Sequence, residues 1–125
     1  MIATWGTSDI LALIENCRYF GGGETVPFLQ RYVDLQQYVE KRLGEDGKEQ
    51  LGLSKAAELL SIDDGALDHH RALDDSVLSA MVLERIYTKD TFRPFIQDCK
   101  DPEFYRRITF KTTYICDVNS PLIEK

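Results

Sequence analysis

The stretch from Ala72 to about Tyr87 constrains this chain most. Leu73, Val77, Leu78, Ala80, Met81, Val82, Leu83 and Ile86 recur at helical spacing, yet together they cover more than one face of a helix. Such a helix is expected to be buried on two sides, so the rest of the chain must supply neighbours for both.

Those neighbours are legible upstream. Met1 to Thr4 is a short β-permissive stub that runs into Trp5-Gly6-Thr7-Ser8-Asp9. Thr7 or Ser8 reads as an N-cap, and Ile10, Leu11, Leu13 and Ile14 give helical spacing up to Phe20, where Gly21-Gly22-Gly23 ends the helix. Gln30 to Val33 reads as a short strand, and Asp34 as the cap of a helix from Leu35 to about Leu43. Gly44 to Lys48 is a turn, and Leu53 to Leu60 a short amphipathic helix. Beyond Thr88, the segments Phe92–Cys99 and Pro102–Thr109 read as short helices, and Thr112–Cys116 as an added strand. The order strand, helix, strand, helix, helix, helix belongs to a parallel α/β arrangement, mostly helical with a short parallel sheet.

Composition narrows the function classes. With 125 residues, 43% of them hydrophobic and 29% charged, the chain is one globular domain in character. A formal charge of −6 removes the positive field of a protein that coats nucleic acid. It does not remove a metal-dependent nuclease, whose site is built from carboxylates. Cys17, Cys99 and Cys116 show neither disulfide spacing nor zinc-ligand spacing, and are expected to be reduced thiols. No apolar run approaches membrane-spanning length, and a basic, apolar leader is missing from the start of the sequence, so the expectation is a cytoplasmic protein without a membrane partner.

The chemistry concentrates at His70-Arg71-Ala72-Leu73-Asp74-Asp75. On one regular helix, residues five apart point about 140° from each other. His70 and Asp75 face one cleft only if His70 lies in the approach loop and Asp75 in the first turns of the helix. Taken alone, His-x-Ala-x-x-Asp is a weak signal, because a histidine near a helix start is more often a surface or capping residue.

Context sharpens it. Leu53-Ser54-Lys55-Ala56-Ala57-Glu58-Leu59-Leu60, followed by His70-Arg71-Ala72-Leu73-Asp74-Asp75-Ser76, resembles the third motif of the DEDDh exonucleases, the DnaQ-like family of the proofreading ε subunit and ribonuclease T. Thr4-Trp5-Gly6-Thr7-Ser8-Asp9 resembles their second motif, and Tyr32-Val33-Asp34-Leu35 the strand and helix start between the two. The resemblance runs in the correct order from Met1 to Tyr87. It implies a ribonuclease-H-like fold and 3′→5′ hydrolysis of nucleic acid from its 3′ ends to nucleoside 5′-monophosphates. It also implies two Mg²⁺ or Mn²⁺ ions, with Asp9 and Asp75 as metal carboxylates and His70 as general base. Residues 1–88 then form the C-terminal part of an exonuclease domain and residues 89–125 a C-terminal extension.

One part of the family pattern is missing. The first motif, Asp-x-Glu on the first strand, has no counterpart before Asp9. The fold expected is therefore an incomplete one, inactive in isolation, because two carboxylates and a histidine anchor Mg²⁺ weakly. A chain lacking its neighbour strand is expected to form a homo-oligomer or to bind a complementing polypeptide at the open sheet edge. The alternative is a non-catalytic exonuclease-like module that binds nucleic acid or a protein partner. Plainer roles stand beside these: Asp34 as a helix cap, His69 exposed, Asp74 as the rival of Asp75, Trp5 packed rather than stacked on a base, and Arg106-Arg107 with Lys111 on a solvated face.

Overall fold

The computed structural model describes residues 1–21, 25–45, 47–65 and 71–109. The elements are β1 (Ile2–Thr4), α1 (Ser8–Gly21), β2 (Arg31–Asp34), α2 (Leu35–Arg42), α3 (Leu53–Leu59), α4 (Ala72–Ile86), α5 (Lys89–Phe92), a 3₁₀ turn (Arg93–Phe95) and β3 (Gln97–Asp98). A further helix, α6, runs over residues 102–109. The strands form one sheet in the order β1-β2-β3. Among the described residues no helix is long and apolar enough to cross a membrane. The expected strand at Thr112–Cys116 lies outside the described residues.

Two structural units divide the chain, with the division falling inside β1 and again inside β2. One, the α1 unit, comprises Met1–Ile2, Thr7–Tyr32 and the chain from Gln97; the other, the α4 unit, comprises Ala3–Gly6 and Val33–Ile96.

In the α1 unit, the spacing of Ile10 and Ile14 puts both on one face of α1, where they are buried. They share a core with Val26, Leu29, Tyr32, Cys99, Phe104, Tyr105 and Ile108. Much of that core comes from Cys99, just after β3, and from α6. Arg31 pairs with Asp98 and Tyr32 with Gln97, and the two strands are antiparallel. Cys99 N–H donates to the Gln30 carbonyl at 2.8 Å, which extends the pairing by one step. Tyr32 and Phe104 meet edge to face at 5.9 Å, and the Val26 N–H donates to the Tyr105 hydroxyl at 3.1 Å.

These facts correct two expectations. The sheet is not all parallel, because β3 runs against β2. Nor is Phe92–Cys99 a helix: a four-residue helix ends at Phe92, Pro94 sits in the 3₁₀ turn, Ile96 is extended at ψ 124°, and β3 follows. A two-residue strand carries no alternation to read, and its conformation is imposed by the pairing with β2 rather than by local preference.

The α4 unit is built around Val33, Tyr38, Val39, Ala56, Ala57, Leu78 and Val82, all essentially without solvent contact. Ala56 and Ala57 let α3 approach closely, since neither carries more than a methyl group. Tyr38 anchors the other end: its ring meets Phe92 and Phe95 edge to face at 5.0 and 5.3 Å, and its hydroxyl lies 2.8 Å from Thr91 Oγ1. α3 stops where Ser61 enters the left-handed region at φ 56°. Ser61 N–H then donates to the Glu58 carbonyl and Ile62 N–H to the Ala57 carbonyl, the paired bonds of a Schellman cap.

α4 itself is buried on one side. Leu78 and Val82 are its buried residues, whereas Leu73 is 67% and Val77 42% exposed. The expectation of two covered faces is therefore corrected: with about 100° per residue, Leu73 points about 140° away from Leu78.

Candidate functional site

Asp9 is the second residue of α1, in the first helical turn, and it is exposed. Thr7 opens the helix by accepting the Leu11 N–H through its carbonyl at 3.0 Å. A carboxylate at this end complements the helix dipole. Among the described residues, nothing hydrogen-bonds or ion-pairs with the Asp9 carboxylate.

Asp74 and Asp75 both lie in the first turn of α4, whose N-cap residue, Arg71, supplies no side-chain cap. They precede Leu78 by four and three residues, so both lean toward the buried side, and both are half-buried. The Asp75 N–H donates to the Arg71 carbonyl, and the Asp75 carbonyl accepts the Ser79 hydroxyl at 2.9 Å. Its carboxylate makes no hydrogen bond or ion pair among the described residues. His69 and His70 lie outside the described residues. Asp9 belongs to the α1 unit and Asp75 to the α4 unit.

Carboxylates are the hard oxygen donors that Mg²⁺ and Mn²⁺ take, so Asp9 and Asp75 suit those ions in kind. They fall short in number. Among the described residues no three His, Cys, Asp or Glu side chains gather into a group able to hold a metal.

Asp63, Asp101 and Glu103 are already engaged. Asp63 Oδ1 accepts the Gly65 N–H at 3.0 Å, closing its own loop. Asp101-Pro102-Glu103 has the Asp-x-Glu form, but it sits at the start of α6. There Asp101 Oδ1 accepts the Glu103 N–H at 3.0 Å, and Glu103 pairs with Arg106 at 3.0 Å. Arg106 and Arg107 are exposed, as expected of a solvated face. Cys99 is buried; burial, with a smaller contribution from the Asp98 charge, pushes its thiol up to about 11, which makes it a poor nucleophile.

The turn that precedes Asp9 holds the contact that sequence reasoning missed. Asp34 caps α2 as expected, its Oδ1 accepting the N–H groups of Gln36 at 3.0 Å and Gln37 at 3.4 Å. The same oxygen also accepts the Gly6 N–H at 3.0 Å. Trp5 is packed against the α4-unit core, and its Nε1–H donates to the Leu51 carbonyl at 3.1 Å. The only advance signal was a glycine placed between a strand stub and a helix cap.

Comparison with known proteins gives a limited but specific likeness. No family model matches the chain, and no solved structure matches it. Over 107 residues, 86% of this chain, it is 33% identical to the probable 3′-5′ exonuclease KapD of Bacillus subtilis (strain 168). The chain spans about half, 48%, of that protein's length. Over most of its own length, the chain is therefore similar to a protein described as a probable exonuclease.

Proposed function

We propose that this chain is part of a DEDDh-type 3′→5′ exonuclease that releases nucleoside 5′-monophosphates from nucleic acid 3′ ends. The observation that carries the reading is the likeness to KapD over 86% of the chain. Supporting it, the elements that bear the two motifs occur in the expected order: β1, a turn, α1 with Asp9 in its first turn, β2 ending at Asp34, then α3, and α4 with Asp75 in its first turn.

In this reading Asp9 and Asp75 hold divalent ions, Mg²⁺ or Mn²⁺, and His70 takes the proton of the attacking water. The bound ions supply charge stabilisation for the attacking and departing oxygens. Further carboxylates are needed for a closed site, so the isolated chain is expected to show little or no Mg²⁺- or Mn²⁺-dependent release of mononucleotides from single-stranded DNA or RNA. Robust release abolished by His70→Ala and Asp75→Asn would mean that other carboxylates of the chain complete the site, with Asp63 and Asp64 the first to examine. Robust release that both variants leave unchanged would contradict the assignment.

Association belongs to the same proposal. Among the described residues, β1 stands at one end of the strand order β1-β2-β3, and no described strand pairs with its outer edge. We expect that edge to be covered by a second copy or by a polypeptide that contributes a strand. Light scattering on a size-exclusion column reads the outcome, and a monomer that unfolds cooperatively at high micromolar concentration contradicts it. A chain that binds nucleic acid or a partner yet takes up no divalent ion would instead be a non-catalytic module of the same family.

A further inference from the structure

We propose that the C-terminal end of α1 is the interface of a symmetric dimer of this chain, two copies meeting through Tyr19, Phe20 and the groove beside them. The surface lies within the α1 unit, and the inference does not depend on the roles proposed for Asp9, His70 and Asp75. It starts from exposure: Tyr19, Phe20 and Phe28 are 82, 81 and 65% open to solvent.

The patch is built, not frayed. Tyr19 and Phe20 occupy the last turn of α1, five and six residues beyond the buried Ile14, so each points roughly 120–140° away from the buried face. Their rings meet edge to face at 4.8 Å and brace one another. A β-turn stands beside them: the Leu29 N–H donates to the Val26 carbonyl at 3.0 Å, which puts Pro27 and Phe28 at the corner. Val26 and Leu29 are buried, and the Tyr105 hydroxyl holds the Val26 N–H, so the corner is fixed from beneath. Between the helix end and the turn lies a groove of about 400 Å³, lined by Asn16, Cys17, Phe20, Gly21, Thr25 and Pro27.

Shape, area and charge select a second copy as the occupant. A projecting ring stands beside a groove on the same surface, and a two-fold interface needs both on one self-complementary patch. With about 200 Å² for a whole aromatic side chain, the exposed parts of the three rings come to about 450 Å². Together with Arg18 and the groove lining, that approaches the roughly 600 Å² per partner at which stable interfaces begin. Among its described residues the α1 unit is balanced, with Arg18, Arg31, Lys100, Arg106 and Arg107 against Asp9, Glu15, Asp98, Asp101 and Glu103. Most of the chain's charge of −6 therefore lies outside this unit, and two copies meet here without strong like-charge repulsion. Nucleic acid also stacks on aromatic rings, but it needs a positive track for its phosphates, and the last turn of α1 carries one cation, Arg18.

The oligomeric state of the full chain tests this. Light scattering on a size-exclusion column should show a dimer at high micromolar concentration that dissociates on dilution. Tyr19→Asp and Phe20→Asp should each raise its dissociation constant about 30-fold or more. Their circular dichroism should match wild type, because both side chains are exposed within one copy. Cys17 gives an independent reading, since it is half-buried and lines the groove while Cys99 is buried. In a Cys116→Ser chain, its modification by a thiol reagent should slow as protein concentration rises, and Tyr19→Asp should abolish that dependence. A wild-type monomer at high micromolar concentration overturns the proposal, as does Cys17 modification that ignores concentration. A dimer that both aspartate variants leave intact overturns it too and sends the search to the edge of β1. A monomer that binds a single-stranded oligonucleotide through Tyr19 and Phe20 assigns the patch to nucleic acid instead.

Discussion

The α1 unit and the α4 unit are held together in different ways. The α4 unit combines neighbouring helices α2, α3 and α4 with a polar lattice: Asp34, Gln36, Glu40, Trp5 and Leu51 belong to one set of hydrogen bonds, and the Tyr38 hydroxyl ties α2 to the stretch after α4. The α1 unit joins residues from the two ends of the described chain, and it depends on Cys99, just after β3, and on α6 for Phe104, Tyr105 and Ile108. It also leaves Tyr19, Phe20 and Phe28 at 82, 81 and 65% exposure. The residue read as the second-motif ligand thus stands on a unit whose core closes only when the C-terminal part of the chain is in place. The third-motif residue stands on a unit built largely from contiguous elements.

The largest test of that contrast is Phe104→Ala. Phe104 is fully buried in the α1 unit, and its truncation should cost about 3–5 kcal/mol. Hydrogen exchange should then quicken first in α1 and β3, while α2 and α4 stay protected. Equal loss of protection in both units would mean that the two cores unfold as one and that the contrast has no energetic content.

Gly6 lies at φ 81°, and Gly6→Ala is the next largest, at about 1–2 kcal/mol for placing a side chain in the left-handed region, with a Cβ contact to Gln36 Oε1 at 3.2 Å added. Thermal unfolding measures it, and an unchanged melting temperature would show that the turn relaxes freely. Ser61→Gly has the smallest effect, and it is favourable. Relief of about 1–2 kcal/mol of left-handed strain, set against about 0.4–1 kcal/mol of added unfolded-state freedom, leaves a net gain of about 0.5 kcal/mol. A loss would show that the serine side chain stabilises the end of α3.

The same contrast governs how much of the molecule was legible in its sequence. α1, the Asp34 cap, α2 and α3 were readable because caps and periodicity are local: Ile10 and Ile14 are spaced for one helix face, and a short polar residue stands where α2 begins. β3 was not, since Gln97 and Asp98 become a strand only by pairing with Arg31 and Tyr32, more than sixty residues away. The single buried face of α4 was misread because apolar residues are necessary for burial but do not ensure it; Leu73 and Val77 are apolar and exposed. At the candidate site, Asp9 and Asp75 fall in the first turns of their helices, as read. The Asp34 to Gly6 bond was invisible, because an N-cap signal says nothing about a second donor arriving from far upstream.

Whether Asp9 and Asp75 serve one divalent site decides the proposed function. A double-mutant cycle on Mn²⁺ affinity in the full chain answers it, comparing wild type, Asp9→Asn, Asp75→Asn and the double variant by electron paramagnetic resonance. Two ligands of one ion are coupled, so each single variant should weaken binding about tenfold or more and the double variant should lose less than the product of the two. Independent, multiplicative losses, or no loss in either single variant, would contradict a shared site.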